Sequence, residues 1–247
     1  MMENEDQLQG QRLQPGDRIR FRCHADLPCF NRCCRDKRLP LFPYDMLRLR
    51  RGLGLSSADV LARHAELELD PGSGWPVLRI KLAPDGRCPF VSPQGCLVYA
   101  HRPACCRVYP LARAVTLEHD GQVRELLLAQ DTPDCLGWQQ ERELSVADYL
   151  AEQELAPYSQ ANNRIARLFM HPRRPPVLRL DEKQTHAVVL ALYNLDVLRQ
   201  ALATPALARP LGLDGPAPSS DEQLLDLGQD WLCERLFGAV DNADSTS

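Results

Sequence analysis

No stretch of this sequence approaches the roughly 18 consecutive apolar residues that mark a membrane span. Its opening, MMENEDQLQGQRLQPGD, is polar and acidic, whereas a secretory signal has a basic start and then an apolar run. The chain therefore reads as cytoplasmic, with no membrane among its partners. Lys+Arg 29 against Asp+Glu 33 leaves a net charge of −4, so the electrostatic footprint of a general nucleic-acid binder is missing too. Nucleophile elbow, Walker loop, dinucleotide glycine fingerprint and HExxH are all absent. An enzyme built on this chain has to work through a metal centre or a reactive thiol.

What the chain does have is cysteine. Eight of its 10 cysteines fall in two knots, Cys23-x5-Cys29-x3-Cys33-Cys34 and Cys88-x7-Cys96-x8-Cys105-Cys106, while Cys135 and Cys233 stand alone. Thiols in a reducing compartment are not paired, so clustering points to metal or catalysis before disulfides. Thiolates are soft donors that favour zinc, copper(I) and iron-sulfur clusters. Four of them fill a structural zinc site or hold a cubane cluster, and eight suffice for two centres. Neither knot has the CxxC…CxxC rhythm of a zinc finger or the ferredoxin run ending in Cys-Pro, so the spacing supports a metal without naming it. Adjacent side chains diverge, which leaves one member of each Cys-Cys pair open to a place in the core, a second centre or a free thiol.

The 247 residues are enough to bury a core as one large domain or two small ones. Residues 1–18 read as a flexible lead-in with no periodicity. Pro43 opens a short helix that Gly52 stops. Ser56-Ser57-Ala58-Asp59 caps a second helix over Val60–Glu66. Alternation in Val77–Leu82 predicts a half-buried strand, Ser92-Pro93-Gln94-Gly95 a β-turn, and Asp120-Gly121 a hairpin joining Ala112–Glu118 to Val123–Ala129. Helices are expected from Ser145, around Asn162–Met170, over Glu182–Ala203 and over Glu222–Phe237, with a proline-rich loop at 204–220. The fold class is α+β: a cysteine-rich, metal-organised region at 19–140 with short helices and a small antiparallel sheet, then a helical region at 141–247 packed on it.

The context of the knots resembles a known family. Phe21-x-Cys23, Cys29-Phe30-Asn31-Arg32-Cys33-Cys34-Arg35-Asp36, Pro43-Tyr44-Asp45, Cys88-Pro89-Phe90, Gly95-Cys96-Leu97-Val98-Tyr99 and Arg102-Pro103-x-x-Cys106-Arg107-x-Tyr109-Pro110-Leu111 are similar to the YkgJ-type cysteine-cluster proteins. This is the CxxCxxCC family, whose proposed role is chelation of zinc or iron and whose domain also occurs in flagellin lysine N-methylases. The resemblance covers roughly residues 21–140, and Tyr193-Asn194-Leu195-Asp196 with Trp231-Leu232 suggests a subgroup that shares the tail. The compact family spacing C-x2-C-x2-C-C is stretched here to five and three intervening residues. The Arg-Pro-x-x-Cys-Arg phrase implies Cys106 rather than Cys105 as a ligand, and Asp134-Cys135-Leu136-Gly137 stands where the family tends to have a further cysteine.

The resemblance thus implies the ligand set Cys23, Cys29, Cys33, Cys34, Cys88, Cys96, Cys106 and Cys135, with Cys233 in the core. His24 and His101 lie close enough in sequence to complete a mixed site, although a packing role is the default; His64, His119, His171 and His186 are weaker candidates. Arg35, Asp36, Arg102 and Arg107 flank the thiols, either as donors to sulfur or as a polar rim. Arg48, Arg50 and Arg51 read as a solvated helix end and Arg173-Arg174 as a solvated turn. The leading expectation is an iron-sulfur cluster of the 4Fe-4S type, with zinc as its competitor. Two functions follow: an iron-sulfur oxidoreductase or component of a methyl-transfer system, or a structural zinc module that binds a protein partner.

Overall fold

The computed structural model describes residues 10–118, 120–130, 132–213 and 215–238. His119 and residues 1–9 of the expected lead-in lie outside these. From Arg12 the chain is already paired. Strands β1 (Arg12–Leu13) and β2 (Arg18–Arg20) bury Leu13 and Ile19, and that burial orders a stretch whose sequence shows no periodicity.

The first knot contains a 3-10 turn at Arg32–Cys34, and β3 (Pro40–Leu41) follows it. Helix α1 (Pro43–Leu53) starts on Pro43 as expected but runs through Gly52 and stops at Gly54, which adopts φ 63°. Ser56 caps α2 (Ser57–His64) by accepting the Asp59 N–H at 3.1 Å. The helix ends sooner than expected, because the alternating Ala-Glu-Leu-Glu-Leu run goes instead into β4 (Ala65–Leu69). This strand pairs antiparallel with β5 (Pro76–Ile80), and ladder pairing overrides helix propensity there. Sheet order is β3-β5-β4, with Leu78 and Ile80 buried and Arg79 turned out to Glu68 at 2.9 Å.

Strands β6 (Val91–Ser92) and β7 (Gly95–Cys96) form the tight hairpin expected at Pro93-Gln94, and α3 (Ala104–Val108) carries the second Cys-Cys pair. The long hairpin of β8 (Leu111–Leu117) and β9 (Val123–Ala129) runs from Leu117↔Val123 to Leu111↔Ala129. β1 adds to the other edge of β9, and β10 (Glu143–Ser145) pairs with β2. Small antiparallel sheets therefore precede a helical C-terminal part, an α+β fold.

The tail comprises α4 (Val146–Glu152), α5 (Ala156–Phe169), α6 (Glu182–Tyr193), α7 (Leu195–Ala203), α8 (Pro205–Leu211) and α9 (Asp221–Phe237). Two expectations change here. The continuous helix over Glu182–Ala203 is broken at Asn194, whose φ −118° and ψ 60° are not helical. The loop at 204–220 begins with α8, in which Pro205 takes the first-turn position that tolerates proline. Among the described residues no helix is long and apolar enough to cross a membrane.

One contiguous core runs from Leu13 to Phe237, so the cysteine-bearing part and the helices share it. Gly228 lets α9 close on α6, since a β-carbon there would collide with the Ala191 carbonyl. Charge locks the same junction. Arg50 pairs with Asp196 at 2.7 Å and Asp221 at 3.3 Å, Arg51 with Asp221 at 3.2 Å and Glu222 at 2.6 Å, and Arg199 with Asp221 at 2.9 Å. The basic end of α1 is thus a clamp on α7 and α9 rather than a solvated terminus, and Arg173 likewise donates to the Phe237 carbonyl at 3.1 Å.

Burial pushes the Asp221 carboxyl up, but Arg199, Arg50 and Arg51 outweigh it and hold the group below the usual range. A carboxylate held low adds stability above its unfolded pKa and loses it as pH falls through the lowered value. Asp221→Asn is therefore expected to lower Tm near neutral pH, by a margin that shrinks once pH drops below about 3.9. Thermal unfolding of both proteins by circular dichroism across that range checks this.

Candidate metal centre

The two knots meet through backbone. Residues 34–36 run antiparallel to 86–88: the Cys88 N–H donates to the Cys34 carbonyl at 2.8 Å, the Asp36 N–H to the Gly86 carbonyl at 2.8 Å, and Arg35 bridges to Arg87. Asn31 adopts the left-handed region at φ 67°, which asparagine tolerates better than most residues, and its side-chain amide donates to the Ser92 carbonyl at 2.8 Å. This ladder sets Cys34 beside Cys88. The β6–β7 hairpin then turns Cys96 back toward them, with Val91 paired to Cys96.

Cys23 reaches Cys135 by a different route. Phe21 is buried, its ring edge-on to Tyr109, Trp138 and Tyr149 with centroids 6.5, 5.5 and 6.0 Å away. The Phe21 N–H donates to the Arg142 carbonyl at 3.0 Å and the Arg22 N–H to the Gly137 carbonyl at 3.1 Å. Gly137 permits this approach, since a β-carbon there would lie 2.5 Å from the Phe21 ring. The chain leaving Phe21 therefore delivers Cys23 alongside the Cys135 segment.

Cys106 is placed by a buried carboxylate. Asp45, fully buried in the first turn of α1, accepts the Phe42 N–H at 2.9 Å and the Ala104 N–H at 2.8 Å, tying the starts of α1 and α3 together. Burial pushes this carboxyl up to about 7 against the pull of the two N–H donors and Arg107. Arg107, only 2% exposed, gives its guanidinium to the carbonyls of Arg102 (3.2 Å), Gln153 (2.7 Å) and Ala100 (2.6 Å) and lies 4.7 Å from the Tyr158 ring. It is neither a donor to sulfur nor a solvated rim. Arg102 stacks 3.8 Å over Tyr99 and hydrogen-bonds Gln153, and Arg35 donates to the Asp85 carbonyl at 2.6 Å.

The thiols divide into two neighbourhoods. Burial raises Cys23 to about 11, and repulsion from Cys33, Cys29 and Cys135 adds to it. Burial also raises Cys88 to about 11, with Cys106 and Cys96 as its charged neighbours, while Cys96 is pushed up by burial and by Cys106 against Arg102. Cys106 is pushed well up by its hydrogen bond with Cys105, by burial and by the charges of Cys105 and Asp45. The join is the Cys33-Cys34 pair. A hydrogen bond between them holds Cys33 down to about 7 and pushes Cys34 up, and Cys34 also feels Cys88 and Cys106. One neighbourhood is Cys23, Cys29, Cys33 and Cys135; the other is Cys34, Cys88, Cys96 and Cys106, with Cys105 hydrogen-bonded to Cys106.

Cys105 points its thiol at the Pro40 carbonyl, 3.7 Å away. Cys233 lies on α9 with Asp230, Glu234 and Arg173 as its charged neighbours and no other thiol among them. His24 faces Gln140 at 3.4 Å and Asp26 at 3.5 Å, and the His101 ring packs over Gly52, so neither imidazole stands among the sulfurs. Tyr109 was not anticipated: its phenol, raised by burial, hydrogen-bonds Cys135 and lies 3.3 Å from the Thr132 hydroxyl. Asp45 and Phe21 likewise serve the site without supplying sulfur, one as a clamp between helix starts and the other as an aromatic anchor. The one available signal was Phe42-Pro43-x-Asp45, the helix start whose acid at the third position marks a capping box.

The sulfurs line one broad groove of about 3390 Å³, several times the size of a small-molecule pocket. Among the described residues no group of three or more His, Cys, Asp or Glu side chains is arranged to hold a metal ion as it stands. The donor chemistry nevertheless fits a thiophilic metal. The candidates are soft and sulfur-only and are held as neighbours by backbone. Burial holds Cys23, Cys88 and Cys96 as thiols, and a hydrogen bond with the adjacent cysteine holds Cys34 and Cys106, so a metal has to displace their protons on binding.

A fold that gathers eight thiols in this way defines a cysteine-cluster protein. Residues 22–143 match the CxxCxxCC family, described as a putative zinc- or iron-chelating domain. No curated protein and no solved structure matches the chain.

Two substitutions probe the scaffold. Phe21→Ala is expected to cost about 3–5 kcal/mol and to unseat Cys23 from Cys135. Asp45→Ala strands the buried Ala104 N–H at about 1–3 kcal/mol, leaves the half-buried Phe42 N–H without its acceptor and frees the start of α3. Denaturant unfolding gives both losses; an Asp45→Ala protein as stable as the wild type would contradict the clamp.

Proposed function

We propose that this protein is a cytoplasmic metalloprotein holding two iron-sulfur clusters, of the 4Fe-4S type, one on Cys23, Cys29, Cys33 and Cys135 and the other on Cys34, Cys88, Cys96 and Cys106. The match of residues 22–143 to a zinc- or iron-chelating family supports the metal. The observation that carries the arrangement is the division of the Cys33-Cys34 pair between two four-thiol neighbourhoods. Each neighbourhood supplies the four thiolates that a cubane cluster needs.

Iron-sulfur clusters, when bound, supply one-electron transfer. Here the protein's own part is to set two centres on consecutive residues, which gives an electron a short path between them. Phe21, Tyr109 and Trp138 pack beside the first neighbourhood and the buried Phe90 follows Cys88 in the second, and Arg102 lends positive charge to the Cys96 and Cys106 side. An oxidoreductase or methyl-transfer activity would draw on these centres.

A second reading is structural zinc. It is favoured by the sparse regular structure of the knots, a 3-10 turn and two-residue strands, because a closed all-thiolate site contributes directly to folding. In that case the gathered surface serves a protein partner.

Anaerobic purification with metal, acid-labile sulfide and visible absorption measurements separates the two. About eight iron and about eight sulfide per chain with visible colour is the expected result. Stoichiometric zinc without sulfide moves the protein to the structural reading, and a chain with neither metal overturns both. Cys33→Ser is expected to lose the first centre and Cys34→Ser the second.

A further inference from the structure

Two cysteines face each other across the ladder that joins the knots. Arg35 and Arg87 form its bridge. The hydrogen bonds on either side, from the Cys88 N–H to the Cys34 carbonyl and from the Asp36 N–H to the Gly86 carbonyl, set Cys34 opposite Cys88. Residues directly opposite in an antiparallel ladder turn their side chains to the same face, with α-carbons about 5.5 Å apart at a hydrogen-bonded position. Disulfides span α-carbons about 4.4–6.8 Å apart. Cys34 gives its own N–H to the Asn31 carbonyl at 3.1 Å, so main-chain pairing is half made here and the ladder ends at this pair.

Among the described residues no other two cysteines are set opposite each other in a ladder. Cys96 is paired with Val91, and Cys105 points at the Pro40 carbonyl. Cys33-Cys34 and Cys105-Cys106 are chain neighbours. Their α-carbons are about 3.8 Å apart, closer than an unstrained disulfide allows. Cys34 and Cys88 are both free and half-buried, and both line the broad groove, which opens them to a small reagent.

We infer that Cys34 and Cys88 are a redox-sensitive pair, which a low-molecular-weight disulfide oxidises to a cross-link that bolts the two knots together. One of the two sulfurs attacks the reagent, whose S–S bond breaks; a mixed disulfide forms and the first reagent thiol leaves. The other sulfur then attacks the mixed disulfide, the protein S–S bond forms and the second reagent thiol leaves. The two protein thiols lose two electrons and two protons, and the two reagent thiols carry them away. The cross-link closes the loop that holds β3, α1, α2, β4 and β5, which constrains the unfolded chain, while the native ladder already keeps its ends in place. It needs no metal and so stands apart from the metal-binding reading. With both sulfurs in the bond, the second neighbourhood has four free thiols again only after reduction.

The test uses the full chain, purified reduced and without oxygen, then equilibrated in EDTA with graded mixtures of oxidised and reduced glutathione. Remaining thiols are alkylated, and unreduced peptides are mapped by mass spectrometry, with fragmentation locating the linked cysteines. A link from Cys34 to Cys88 is expected in mixtures at least about tenfold less oxidising than those that give any other link. Oxidation to that point raises Tm, followed by circular dichroism, by about 5–10 °C. Cys88→Ser removes both the link and the rise. The map of the wild-type chain decides the assignment even where Cys88→Ser does not fold. Links scattered among other cysteines, glutathione adducts with no internal link, or a link from Cys34 to Cys88 that leaves Tm unchanged or lower overturns the inference, and none of these bears on whether the reduced chain binds metal.

Discussion

The hydrogen bond from the Cys88 N–H to the Cys34 carbonyl joins two cysteine segments that the sequence keeps far apart, and the rest of the cluster is arranged around that join. Thiols repel one another once ionised, so a protein that gathers eight of them has to hold them by something other than the thiols. Here the holding is done by main-chain pairing of residues 34–36 with 86–88, by the Asn31 side chain on the Ser92 carbonyl, by a β-hairpin and by an aromatic seat. Burial then keeps Cys23 and Cys88 protonated until a metal competes for the sulfur.

The second constraint is electrostatic. Asp45 and Arg107 are opposite charges deep in the core, and each is satisfied by backbone: two N–H groups for the carboxylate, three carbonyls for the guanidinium. Buried charges are tolerated only when so provided for, and removing one partner leaves the other at high cost. The pair welds α1 to α3 and to the turn after α4, and the Arg50–Asp221 network repeats the device at the surface between α1 and α9. Helix α1 is thus the element through which the cysteine region and the helical tail are aligned.

Features governed by short-range patterning were legible in the sequence. The β8–β9 hairpin followed from Asp120-Gly121, the strand β5 from the alternation at Val77–Leu82, and the start of α1 from Pro43. Long-range pairing was not. Ala65 and Glu66 looked helical until their strand partner across the turn was known, and Asn194 gave no hint that it would break a helix. The division of the cysteines was equally hidden, because which way Cys33 and Cys34 face depends on the left-handed Asn31 and on a partner strand beyond β5. Asp45 could be read as a helix cap, but its second acceptor role lies 59 residues away at Ala104.

The seat of Phe21 also bears on how the protein comes to exist. All four thiols of the second neighbourhood, and the Asp45 that aligns them, have been synthesised once the ribosome passes Cys106. The first neighbourhood depends on Trp138, Gly137 and Tyr149 to receive Phe21, and on Cys135 itself. Because chains emerge N-terminus first, Cys23 and Cys29 are synthesised long before Cys135, the thiol they are gathered with. The two neighbourhoods are therefore completed in the reverse of the order in which their first cysteines appear along the chain.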